Sequence, residues 1–136
     1  MAQETKLATL TWQREMEFEG VCGSAPSVHI DGSNQTAPGP MALLLLAAGS
    51  CTGSDVVSIL EKMRIELQSF RIEMSGTRRE QEPRRYIAIH LTYHLSGTGL
   101  DEAKGRRAID LSIEKYCSVI HSLAPDIRIT YDLVLG

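Results

Sequence analysis

The stretch from Pro38 to Lys62 constrains this chain more than any other. Pro40 suits the first turn of a helix, where its missing N–H would have no partner anyway, and Gly39 is an acceptable N-cap. From Met41 to Ala48 every residue is apolar, so this half of the helix has no water-facing stripe and needs protein around it. Beyond Cys51 the pattern turns amphipathic, with Val56, Val57, Ile59, Leu60 and Met63 set against Asp55, Ser58, Glu61, Lys62 and Arg64. A helix of this length spans roughly 35 Å, about the width of a small domain. Cys51, midway along it, is expected to lie deep.

The flanking segments read as strands. Thr5 to Trp12 and Met16 to Val21 form an N-terminal hairpin, Val28 to Ile30 a third short strand, and Asp31-Gly32-Ser33-Asn34 a turn. After the helix, Leu67, Phe70, Ile72 and Met74 alternate into a strand that ends near Gly76. Tyr86 to Ser96 is the clearest strand, with Ile87, Ile89, Leu91, Tyr93 and Leu95 on one face. Asp101 is a plausible N-cap for a second helix, Ser112 offers a break within it, Pro125 closes it, and Ile127 to Leu135 is a terminal strand. The order β-β-β-α-β-β-α-β groups its strands, which predicts an α+β domain with mainly antiparallel strands around a long buried central helix. One sheet covers only one side of such a helix. A second helix or a second subunit must cover the other, and a homodimer with packed central helices meets that need.

The 136 residues are expected to form a single domain, 1–136. With 14 Lys plus Arg against 17 Asp plus Glu, and a net charge of −3, no overall positive field draws the protein to nucleic acid or anionic lipid. Met1 to Trp12 show no leader pattern, and the longest unbroken apolar run is well short of the ~20 residues of a membrane span. Three cysteines, Cys22, Cys51 and Cys117, without C-x-x-C spacing, suit reduced thiols in a cytoplasmic protein.

Cys51 and Cys117 are the informative pair, each on an apolar helical stripe beside small or hydroxyl residues. Buried free cysteine is most often a small hydrophobe. The functional alternative is a peroxidatic and resolving pair, in which one thiolate breaks an O–O bond and the resulting sulfenic acid condenses with the other thiol. His121, one turn after Cys117, is either a base or a packing residue, and Asp55, one turn after Cys51, more naturally hydrogen-bonds than reacts. His90 and His94 lie ~13 Å apart along one strand, too far to share a zinc ion. The arginines of the Arg78 to Arg85 loop alternate with Glu80 and Glu82 without a stacking platform, which suits a solvated turn rather than a nucleic-acid site. Neither a metal nor a cofactor is expected.

The residues Pro40 to Leu60, containing Ala-Ala-Gly-Ser-Cys51-Thr-Gly-Ser-Asp-Val-Val-Ser-Ile-Leu, and Asp110-Leu-Ser-Ile-Glu-Lys-Tyr-Cys117-Ser-Val resemble the two cysteine motifs of the OsmC/Ohr family, nearest its YhfA-like branch. The Arg-Arg-Glu-x-x-Pro loop at Arg78 to Pro83 fits the same resemblance. It implies an intertwined homodimer of α+β subunits with active sites at the subunit interface. It also implies reduction of small organic hydroperoxides in oxidative-stress defence, with Cys51 peroxidatic, Cys117 resolving and a dithiol as reductant. Peroxidases of the family resemble one another in a Glu just after the proline that opens the central helix, paired with an Arg from the hairpin region. Here Met41 and Ala42 follow Pro40, and Arg14 is the only guanidinium near that region. An Arg beside a thiolate stabilises the ionised sulfur, so its loss leaves a second reading open: a catalytically weak dimer that binds a small apolar ligand.

Overall fold

The structure is a computed structural model that describes residues 3–136; Met1 and Ala2, part of the segment read for a leader, lie outside them. A first compact unit ends at Leu44 and a second covers Leu45–Gly136.

The first unit is a three-stranded antiparallel sheet in the order β1-β2-β3, with β1 Ala8–Arg14, β2 Glu17–Cys22 and β3 Val28–Asp31. The turn after β3 is organised by Asp31, only 2% exposed, whose carboxylate accepts from the Ser33 N–H (2.9 Å), Ser33 Oγ (2.7 Å), the Gln35 N–H (3.1 Å), the Thr36 N–H (2.9 Å) and Thr36 Oγ1 (3.1 Å). Those donors, the Thr36 N–H first, hold its carboxyl well below the usual carboxylate range. Asn34 Oδ1 accepts from the Gly39 N–H at 2.7 Å, and the Gly39 carbonyl accepts from the Leu43 N–H at 2.9 Å. Gly39 therefore does the work of an N-cap, and α1, Pro40–Lys62, starts at the proline as the sequence indicates.

The second unit holds a sheet in the order β4-β5-β6, with β4 Glu66–Arg78, β5 Tyr86–Thr98 and β6 Arg128–Leu135. β4 and β5 pair antiparallel, and β5 and β6 pair parallel. A parallel pair needs a crossover connection. The segment between β5 and β6 supplies it as α2, Glu102–Leu111, a π-helical turn, Ser112–Tyr116, and a short α3, Ser118–Ser122. Asp101 caps α2, accepting from the Lys104 N–H at 2.8 Å. The α+β class and the order β-β-β-α-β-β-α-β stand, with the second helical region broken into three pieces.

Three details depart from the sequence reading. Ile87 is 40% exposed and Tyr86 takes its place in the core, because the β4–β5 register slips between Thr77 and Arg78 and the bulge turns one residue outward. In α1 burial follows a single stripe, Ala48, Gly49, Thr52, Val56 and Leu60, while Leu46 is 49% exposed and Cys51 is half-buried rather than deep. The stripe is narrow because within one chain only one side of the helix is enclosed. Third, α1 is long and apolar enough by composition to cross a membrane, a measure that core helices of soluble proteins also meet. Its buried residues, Ala48, Gly49, Thr52, Val56 and Leu60, form one stripe, and Asp55, Glu61 and Lys62 lie in its second half.

The arginine loop is knitted to itself. Arg79 donates from Nε to the Pro83 carbonyl (2.7 Å) and from Nη2 to that of Glu82 (3.0 Å), and Arg78 Nε donates to the Arg84 carbonyl (2.7 Å). Arg85 makes a two-pronged pair with Asp126 at 2.7 and 3.2 Å. Guanidinium groups used this way shape a turn.

Candidate thiol site

Two elements of the second unit bring the thiols together. Cys51 projects from the middle of α1, and Cys117 follows the π turn, its own N–H donating to the Ser112 carbonyl at 2.7 Å. The two side chains are neighbours, close enough for Cys51 to act on the ionisation of the Cys117 thiol, and both are free thiols. Cys117 is fully buried whereas Cys51 is half-buried. Burial, reinforced by the neighbouring Cys51 and by the charge of Asp55, pushes the Cys117 thiol up to about 11. Cys22, exposed at the end of β2, belongs to the other unit.

Around the thiols runs a chain of buried hydroxyls. Thr52 Oγ1 lies 2.8 Å from the Tyr93 hydroxyl and 2.7 Å from Ser112 Oγ, and Ser112 Oγ donates to Asp55 Oδ2 at 2.9 Å. Thr52, Tyr93 and Ser112 are 0% exposed. Tyr93 is held on β5 between the Phe70 ring, stacked at 6.4 Å, and the edge of Tyr131 at 5.8 Å, and its burial pushes the phenol up to about 12. Among the described residues no buried side-chain nitrogen or oxygen lacks a partner.

Sequence reasoning passed over Thr52 and Tyr93 as members of this arrangement. The signal was present in Thr52, a hydroxyl at the centre of the otherwise apolar Ala48–Val56–Leu60 stripe. Ser112 does mark the break, yet its hydroxyl turns inward to Asp55 and Thr52 instead of capping a new helix. His121 behaves as a packing residue: its Nε2 donates to the Ile113 carbonyl at 3.0 Å, tying α3 to the π turn. His90 pairs with Thr130 and Asp132, and His94 with Glu73, on separate stretches of β5. Among the described residues no cluster of three or more His, Cys, Asp or Glu is placed to hold a metal. Arg14, the guanidinium considered from the sequence, lies 3.5 Å from Glu17 within the first unit.

Beside the thiol region, α1 and β4 form an open groove of about 520 Å³ lined by Gly53, Ser54, Val57, Ser58, Glu61, Phe70 and Ile72. Its walls are mostly apolar, with Glu61 the charged member. Neither cysteine lines it, and its size suits a small apolar molecule lodged alongside α1.

An OsmC-like protein family model matches residues 32–132, which takes in both cysteine motifs. This chain belongs to the OsmC-like family. It is similar to Protein YhfA of Escherichia coli strain K12, 39% identical over 125 residues that cover 91% of this chain and 93% of the relative. A hypothetical protein from Aquifex aeolicus VF5 superposes with a TM-score of 0.87 at 32% identity, covering 98% of this chain and 99% of that one. An organic hydroperoxide resistance protein OsmC from Legionella pneumophila shares the OsmC-like fold, with a TM-score of 0.70 at 13% identity over 98% of this chain and 99% of that one.

Proposed function

We propose that this OsmC-like chain is a thiol-dependent peroxidase for small organic hydroperoxides, acting in oxidative-stress defence in the cytoplasm. The observation that carries the reading is that Cys51 and Cys117 are neighbouring free thiols, one half-buried and the other enclosed. Burial supports this division of roles: Cys51 is half-buried and open to a substrate, whereas Cys117 is shielded and held as a thiol. Cys51, as thiolate, attacks the distal oxygen of ROOH; the O–O bond breaks, RO⁻ leaves and takes a proton to give ROH, and the sulfur is oxidised to sulfenic acid. Cys117 then forms the S–S bond as the S–O bond breaks, and its proton leaves with the hydroxyl as water. An external dithiol returns both thiols by exchange and is itself oxidised to a disulfide. The Legionella relative, named for organic hydroperoxide resistance, supports the choice of substrate class.

The working form is a homodimer, with residues 1–136 of each subunit acting as one OsmC-like domain. Supporting this are the exposed apolar residues of the first unit's sheet, with Leu10, Trp12 and Val28 at 56, 62 and 49%, and the open side of α1 at Leu46. Light scattering in solution should give twice the 15.0 kDa chain mass; a value of one chain contradicts the dimer.

The second reading, a dimer that binds a small apolar ligand with little turnover, is favoured by Met41 and Ala42 where the family's peroxidases carry Glu, and by the groove along α1. Thiol counting separates the two. Reduced protein treated with one equivalent of cumene hydroperoxide should lose two of its three thiols per chain. Three surviving thiols would favour the ligand-binding reading.

A further inference from the structure

The buried hydroxyl chain has a fixed direction. Ser112 has one hydroxyl proton, and it goes to Asp55 Oδ2. Ser112 Oγ must therefore accept from Thr52, and Thr52, its proton spent, must accept from the Tyr93 hydroxyl. All three hydroxyls point their protons toward Asp55, and the chain ties three elements together: α1 through Thr52 and Asp55, β5 through Tyr93, and the π turn through Ser112.

Its placement relative to the thiols is specific. Cys51 and Thr52 are neighbours on α1; the first lies near the Cys117 thiol and the second is hydrogen-bonded to Ser112, whose carbonyl receives the Cys117 N–H. Each end of the π turn is thus held against a consecutive residue of the same helix. The Ile113 carbonyl is fixed in turn by His121. A disulfide needs its sulfurs at about 2.05 Å with a restricted dihedral, so the two free thiols must close on each other along a defined path. A π turn, with one residue more than an α turn, is a place where a helix gives locally.

We propose that Tyr93, Thr52, Ser112 and Asp55 form a positioning relay for the resolving step, with Thr52 and Ser112 holding the Cys117 turn in register so that its sulfur closes on Cys51. The proposal deepens the peroxidase reading and rests on it for the oxidant. The relay itself belongs to the thiol pair, and disulfide closure driven by another oxidant calls on it equally.

The test uses the wild-type protein, Thr52→Val, which keeps the shape but removes the hydroxyl, and Thr52→Ser, which keeps the hydroxyl. Ser112→Ala is a second disruption should Thr52→Val fold poorly. Each reduced protein receives one equivalent of cumene hydroperoxide and is quenched over time with dimedone, which traps sulfenic acid, and the products are read by intact mass. In Thr52→Val the Cys51 sulfenate should persist on the order of tenfold longer before disulfide forms, and Thr52→Ser should restore the wild-type lifetime. Equal lifetimes in wild type and Thr52→Val, or equal slowing in Thr52→Val and Thr52→Ser, would overturn the proposal; the second outcome would mark a packing effect. The same series oxidised with diamide separates the two claims. Slow closure in Thr52→Val with diamide, in a protein that ignores cumene hydroperoxide, would uphold the relay and remove the peroxidase reading.

Discussion

Cys51→Ser is expected to abolish the reaction with organic hydroperoxides, lowering its second-order rate by a factor on the order of 100 or more, because a serine hydroxyl does not attack peroxide oxygen under these conditions. The size of the effect follows from what remains. Cys117 is 0% exposed and its thiol is pushed up to about 11, so it is both shielded from substrate and reluctant to ionise. Cys22 is exposed but lies in the other unit, outside the thiol pair. The check is stopped-flow consumption of cumene hydroperoxide by pre-reduced wild type and Cys51→Ser. A Cys51→Ser protein that reacts within threefold of wild type would place the reactive sulfur elsewhere.

The second large effect is on stability. Leu60 closes the buried stripe of α1 at 0% exposure, one turn beyond Val56 and two beyond Thr52. Leu60→Ala removes three carbons from a fully packed site and should cost about 3 kcal/mol, from lost burial plus the cavity left behind. Leu46, on the same helix but 49% exposed in the single chain, gives the comparison. As a monomer, Leu46→Ala should cost well under half as much, whereas covering by a partner brings the two costs together. Urea unfolding of both variants measures this. Near-equal midpoints for wild type and Leu60→Ala would contradict the packing described.

The sequence carried the fold further than it carried the site. Strand alternation from Tyr86 to Ser96 and the proline-glycine start of α1 depend on near neighbours, and local patterns of that kind survive folding. Ile87 did not follow its alternation because a bulge is a property of two paired strands, and the slip between Thr77 and Arg78 is visible only once β4 lies beside β5. The depth of Cys51 was misjudged for a related reason, since an all-apolar helix says that its surface must be covered but not by which chain. Both cysteines were legible as motif residues. Their nearness was not, because it depends on the π turn before Cys117, whose Ser112 is bonded to Thr52 and Asp55 of α1. Thr52, Ser112 and Tyr93 come from three elements and are joined by single hydrogen bonds, so no spacing in the sequence links them.

The central chemical claim is that two sulfurs become one bond. Peptide mapping of the wild-type protein after one equivalent of cumene hydroperoxide, with free thiols blocked before digestion, should recover the Cys51 and Cys117 peptides linked to each other and Cys22 blocked as a free thiol. Recovery of Cys51 and Cys117 as separate blocked peptides, or of Cys51 joined to Cys22, would contradict it.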